Sequence, residues 1–188
     1  MKKTLFSVLL IWIVQTGWSQ TNFDWTLALS SNIPVSFSQP IEMKTGDNFS
    51  LLLTSETPSY CYIIVQDSEQ KVQVVNNSRL DAKEEVRLGP INILPPSGRE
   101  VFFVVMSHTE QRDLSSKISI FERNATLRNG REVINEVLAL RRAVSVLNEN
   151  PEKPIFMGGA FRGGSDEGFN GSEFSGSNCY VKTITISH

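Results

Sequence analysis

Histidine and cysteine are scarce in this chain: His108, His188, Cys61 and Cys179 are all it has. A Ser-His-acid hydrolase would have to use one of the two histidines. His108 sits in Ser107-His108-Thr109-Glu110, directly after an apolar run, in a loop position where function can reside. An exposed polar strand end is the plainer expectation for it, and a small hydrolase using His108 with Ser107 is kept as an alternative. His188, the last residue of the sequence, is expected to fray. Neither Cys-x2-Cys nor His-Glu-x-x-His spacing occurs, so no zinc site is expected. Cys61 and Cys179 lie in strand-like, Tyr-containing runs. A bridge between them would close a loop of about 118 residues, for which chain entropy gives about 4–5 kcal/mol. Two buried thiols behaving as small hydrophobes are the other possibility.

The Gly-rich stretch 158–177 invites a test for phosphate binding. A P-loop needs Gly-x4-Gly-Lys-Ser/Thr, and Gly164 stands where the lysine should be. No helix pattern follows, so the N-terminal dipole that favours phosphate is missing as well. Asp166, Glu167 and Glu173 could gather around calcium, but the Asp-x-Asp-x-Asp-Gly register is absent. Glycoside hydrolysis needs two positioned carboxylates, and the 20 acidic residues show no such spacing. No catalytic set, metal or cofactor is therefore expected. The stretch 158–177 reads as a long polar loop able to offer contact surface.

Positioning elements follow from composition and pattern. The 188 residues are 40% hydrophobic and 20% charged, which is globular composition for one sizeable domain. Residues 1–19 have the layout of a secretory signal peptide: Lys2 and Lys3, an apolar run from Leu5 to Val14, and small Gly17 and Ser19 before a cut between Ser19 and Gln20. The apolar run is about half the 20 residues that a spanning helix needs. No later segment is apolar enough to cross a bilayer, so the mature chain is expected to lack a transmembrane segment. Without Lys2 and Lys3 the acids outnumber the bases, which argues against sequence-independent nucleic-acid binding. An exported protein is expected: periplasmic, outer-membrane-associated or secreted.

Residues 20–40 alternate loosely and contain Pro34 and Pro40, predicting short edge strands. The domain proper then spans 41–188. Residues 49–54 read as a strand. Residues 60–65 and 101–106 are apolar on both faces and read as central strands. A four-residue loop, Asp67-Ser68-Glu69-Gln70, predicts a hairpin with residues 71–75. Residues 76–85 look loop-like, 86–93 alternate briefly around Gly89-Pro90, and 117–121 read as a further strand. From 131 to 148 the apolar residues adopt helical spacing before Pro151, predicting one long amphipathic helix. A closing strand is expected over 178–187, with Tyr180, Ile184 and Ile186 on one face and Lys182 breaking the pattern. The fold class is mainly β (α+β).

Three segments in order carry a family resemblance: Thr45-Gly46-Asp47-Asn48-Phe49-Ser50-Leu51, Tyr60-Cys61-Tyr62-Ile63, and Pro95-Pro96-Ser97-Gly98-Arg99-Glu100 entering the aliphatic strand that ends in Met106-Ser107. Over about residues 41–122 the chain resembles the bacterial family known as domain of unknown function 4384. It departs at Val74-Val75-Asn76-Asn77, where the family tends to have a Phe-Pro-Asn step. The resemblance implies an immunoglobulin-like β-sandwich, here with the long helix packed on it. It also implies an exported or envelope-associated accessory role, and it supplies no catalytic residues to carry over. The expected function is a non-catalytic binding or accessory module of the cell envelope, its partner a protein or another envelope component. A structural subunit of an envelope assembly is the alternative, ahead of the His108 hydrolase.

Overall fold

A computed structural model describes residues 22–30, 37–144, 153–157 and 169–188. The leader with its Ser19–Gln20 cut lies outside the described residues. So do residues 31–36, the end of the expected helix beyond Val144, and residues 158–168 with Asp166 and Glu167.

Residues 60–65 and 101–106 form the middle of adjacent strands, β4 (Ser59–Gln66) and β7 (Arg99–Ser107), paired antiparallel with Ile63 opposite Val104. Their unbroken apolar character has a direct cause, since both faces are covered. Cys61, Ile63, Phe102, Val104 and Met106 point into a core shared with a second sheet. Tyr62, Ile64, Phe103 and Val105 point the other way, under two helices. Each fully buried large side chain of this kind contributes roughly 1.5–3 kcal/mol.

This central sheet has the order β2-β10-β7-β4-β5, with β2 (Ile41–Glu42), β5 (Val72–Leu80) and β10 (Cys179–Ser187). The sheet facing it runs β6-β3-β1-β9-β8: β6 (Glu85–Asn92), β3 (Asn48–Ser55), β1 (Asn22–Ser30), β9 (Phe169–Ser177) and β8 (Lys153–Met157). All pairings are antiparallel except β2 with β10. The described residues are thus mainly β in two sheets with two helices, an α+β arrangement, rather than strands with one helix.

The second helix is where the sequence reading fails. Residues 117–121, expected as a strand, belong to α1 (Arg112–Arg123). Leu114, Ile118 and Phe121 are buried at i, i+4 and i+7, while Ile120 stays 45% exposed. The expected long helix is α2 (Leu127–Val144), beginning four residues earlier than predicted and burying Val133, Ile134 and Val137. Lys117 of α1 and Glu136 of α2 form an ion pair, whose hydrogen bond holds the lysine above its ordinary pKa.

Other expectations are corrected in the same way. The 20–40 segment was expected at an edge, yet β1 is the middle strand, between β3 and β9. The prolines follow it and do not interrupt it. Residues 169–177 of the Gly-rich stretch form β9, not a loop; along β1, Trp25 faces Phe174 and Ala28 faces Gly171. The polar 76–80 segment continues β5 to the edge of its sheet, and 85–92 is one strand across Gly89. In the β4–β5 hairpin, Asp67 and Lys71 are already bonded, leaving a three-residue loop with Gln70 at φ 64°. The Gln70 amide also donates to the Asp67 carbonyl at 3.0 Å, the bonding common in three-residue hairpin loops with a left-handed last residue.

One glycine is required by its surroundings. Gly89 has φ +117°, and a Cβ there would stand 2.8 Å from the Phe49 carbonyl oxygen. It lies beside the register shift between Phe49 and Leu51, where β6 crosses close to β3.

Candidate functional site

β7 ends at Ser107, whose cross-strand partners are Tyr60 on β4 and Cys179 on β10. The 108–111 loop therefore leaves the sheet where β4 begins and β5 ends, and Tyr60 pairs directly with Arg79. Arg112 then opens α1. Tyr60, Arg79, His108, Thr109, Glu110 and Arg112 line an open cleft of about 590 Å3 at this corner. The sequence pointed to His108 only. Arg79 comes from the part of β5 that reads as loop in the sequence, and Arg112 opens a helix of which the sequence suggests only a strand over 117–121, so the register that gathers them is not visible in local pattern.

A hydrogen-bond network beneath the cleft holds it in place. Ser107 is fully buried; its hydroxyl donates to the Asn178 carbonyl at 3.0 Å and accepts from Gln111 Nε2 at 2.7 Å. The His108 amide donates to the same carbonyl at 2.9 Å. Asn178 is the single residue between β9 and β10, where the chain passes from one sheet to the other at φ 65°, a backbone state that asparagine tolerates. Ser107 thus fixes this crossing. With its proton donated to a carbonyl and no solvent access, its hydroxyl lacks the geometry of a nucleophile.

Tyr62 performs a related task for α1. Gln111 at the N-cap makes no side-chain capping bond, and its amide donates instead to the Tyr62 hydroxyl at 3.0 Å. That hydroxyl is also 3.2 Å from Ser115 Oγ. Burial outweighs these bonds and raises the phenol above its ordinary pKa. Tyr62→Phe should therefore lower stability by about 1–1.5 kcal/mol. Hydrogen exchange should quicken first at the Gln111 and Ser115 amides; uniform quickening across the sheets would contradict this role.

His188 does not fray. Its amide and carbonyl exchange bonds with Gly98 at 3.0 and 2.8 Å, and its imidazole, 3% exposed, has Nε2 3.9 Å from Glu100. It extends the β7–β10 pairing at the end opposite His108. Nine residues of strand separate the two histidines, about 30 Å, so they cannot share a site.

Of the two possibilities for the cysteines, the structure holds free thiols. Cys61 pairs with Met106 and Cys179 with Ser107, so β7 lies between them and they occupy opposite faces. Two strand spacings, about 9.5 Å, exceed the reach of a disulfide. Burial pushes the Cys61 thiol from 9.0 to about 12 and the Cys179 thiol to about 11. Both folded values lie above the unfolded one. Their contribution is therefore intact below pH 9 and disappears as pH rises toward 11–12, with a slope of roughly 1.4 kcal/mol per pH unit for each thiol. A thiol reagent at pH 8 should leave the native protein unlabelled and find both thiols after denaturation. Rapid native labelling would contradict the burial.

Among the described residues no three His, Cys, Asp or Glu side chains gather as metal ligands, and no helix is long and apolar enough to cross a membrane. No family model, curated protein or solved structure matches the chain significantly.

Proposed function

We propose that this protein is an exported, non-catalytic binding or accessory module of the bacterial cell envelope, built on an immunoglobulin-like sandwich. The carrying observation is the cleft around His108. It offers charge and hydrogen bonds on an open surface, while the adjacent Ser107 hydroxyl is buried and engaged in the Asn178 crossing. The residues of the leader support export. An immunoglobulin-like topology is supported by two mostly antiparallel sheets sharing one core, with the chain passing between them from β3 to β4 and from β6 to β7. A contact surface centred on this cleft replaces the one expected at 158–177, half of which is β9.

Fractionation of cells expressing the full chain, with a photoreactive residue at Thr109, tests the reading. The expected result is recovery from the envelope fraction with a crosslinked component. Recovery of the uncut chain in the cytoplasm, or a turnover activity abolished by His108→Ala, would refute it.

A structural-subunit reading draws on a second surface. Ile120 is 45% exposed and lines a groove of about 580 Å3 between α1 and α2 with Asn124, Thr126 and Asn129. Light scattering on the purified protein decides it: a strict monomer with no co-purifying chain removes this reading.

A further inference from the structure

The geometry points to a ligand class for the His108 cleft: we propose that it binds a single carboxylate group, carried by a small organic acid or by the C-terminus of a peptide. This rests on reading the chain as a binding module, and deepens it.

Two arginines carry the argument. Arg79 arrives from the edge strand β5 and Arg112 from the first position of α1, and both line the same cleft. Neither forms an ion pair with any described residue. A guanidinium is always charged, and its planar fork of donors matches the two oxygens of a carboxylate. Two such groups from distant parts of the chain, on the lining of one cleft, make it a positive surface that favours an anion.

The charge on the lining selects the anion. Glu110 is the one acid in the cleft, and it offsets one of the two guanidiniums. Among these three side chains one net positive charge remains, which suits a monoanion. A phosphate monoester would bring about −1.5 to −2 charges and meet Glu110 as well. Tyr60 and Thr109, on the same lining, add neutral hydroxyl donors. Volume limits size: about 590 Å3 falls within the roughly 300–1,000 Å3 typical of small-molecule sites. A small acid or the last residues of a chain fit that space.

Calorimetric and NMR titration of the mature chain at low salt tests the assignment, with propionate, N-acetyl-dialanine, its C-terminal amide and inorganic phosphate as probes. Both carboxylates should bind in the millimolar range or tighter, the amide should not bind, and phosphate should bind more weakly than either acid. Tighter binding of the peptide acid than of propionate assigns the ligand as a peptide end, and the reverse order assigns a small acid. Arg79→Gln and Arg112→Gln should each weaken binding at least about tenfold. Arg112→Lys keeps the charge, loses the fork, and should also weaken it. Both arginines are exposed, so melting temperatures should stay near that of the parent. The assignment is overturned if neither acid binds, if the amide or phosphate binds as well as the acids, or if the substitutions leave affinity unchanged. Envelope crosslinking that persists undiminished in the Arg79→Gln/Arg112→Gln double variant would overturn the cleft assignment while leaving the binding-module reading standing. Loss of crosslinking together with carboxylate binding supports both.

Discussion

Trp25→Ala is expected to destabilise the protein by about 4 kcal/mol, near the upper end for a single core truncation. Trp25 is fully buried in the middle strand of its sheet. Its ring stacks on Phe174 at 4.7 Å and meets the edge of Tyr180 at 5.5 Å, so one side chain joins β1, β9 and β10 across both sheets. Alanine would leave a void walled by aromatic rings that have no smaller residue to collapse onto. Trp25→Phe is expected to cost only about 1 kcal/mol. The indole Nε1 finds no acceptor among the described residues, so removing it takes away an unsatisfied buried donor along with the packing. Urea unfolding of both variants checks the pair, and comparable losses would mean that the ring's shape, and not its area, dominates.

Gly89→Ala is the second substitution with a large expected effect, about 3 kcal/mol or more. Two penalties coincide there. The backbone at φ +117° is one that L side chains rarely adopt, and the added methyl would lie 2.8 Å from both the Phe49 carbonyl oxygen and Ser50 Oγ. Gly46 separates the two. Its φ is +97°, but nothing lies within 4 Å of a Cβ built on it, so Gly46→Ala should cost only the backbone term, about 1–2 kcal/mol. Equal losses at the two positions would show that the approach of β6 to β3 relaxes freely.

How much of this was legible depends on what covers each element. Sheet strands buried on both faces announced themselves: residues 60–65 and 101–106 carry no polar interruption because helices lie on one side and a second sheet on the other. The stripe of α2 was equally plain. The stripe of α1 was present as Leu114, Ile118 and Phe121, but Ile118 and Ile120 also alternate, and over five residues a strand and a helix cannot be told apart. β9 was hidden for a different reason. Its Gly171 and Ser172 sit opposite Ala28 and Leu27 of β1, which supply the bulk, and over residues 171–177 Phe174 is the one large apolar side chain on the buried face. The cleft was half visible. His108 stood out as a rare residue type, whereas Arg79 and Arg112 are ordinary charges until β5 pairs with β4 and α1 starts beside β7. That information lies in register, which no local pattern encodes.

The strand order also dictates when the protein can finish folding. In one sheet β1 lies between β3 and β9, and in the other β10 lies between β2 and β7. β6-β3-β1 and β7-β4-β5 can pair without residues beyond 168, but β8 joins its sheet only through β9, and β2 only through β10. Both sheets are therefore completed by pairings between strands far apart in sequence, β1 with β9 and β7 with β10, and such long-range closures slow the last stage of folding.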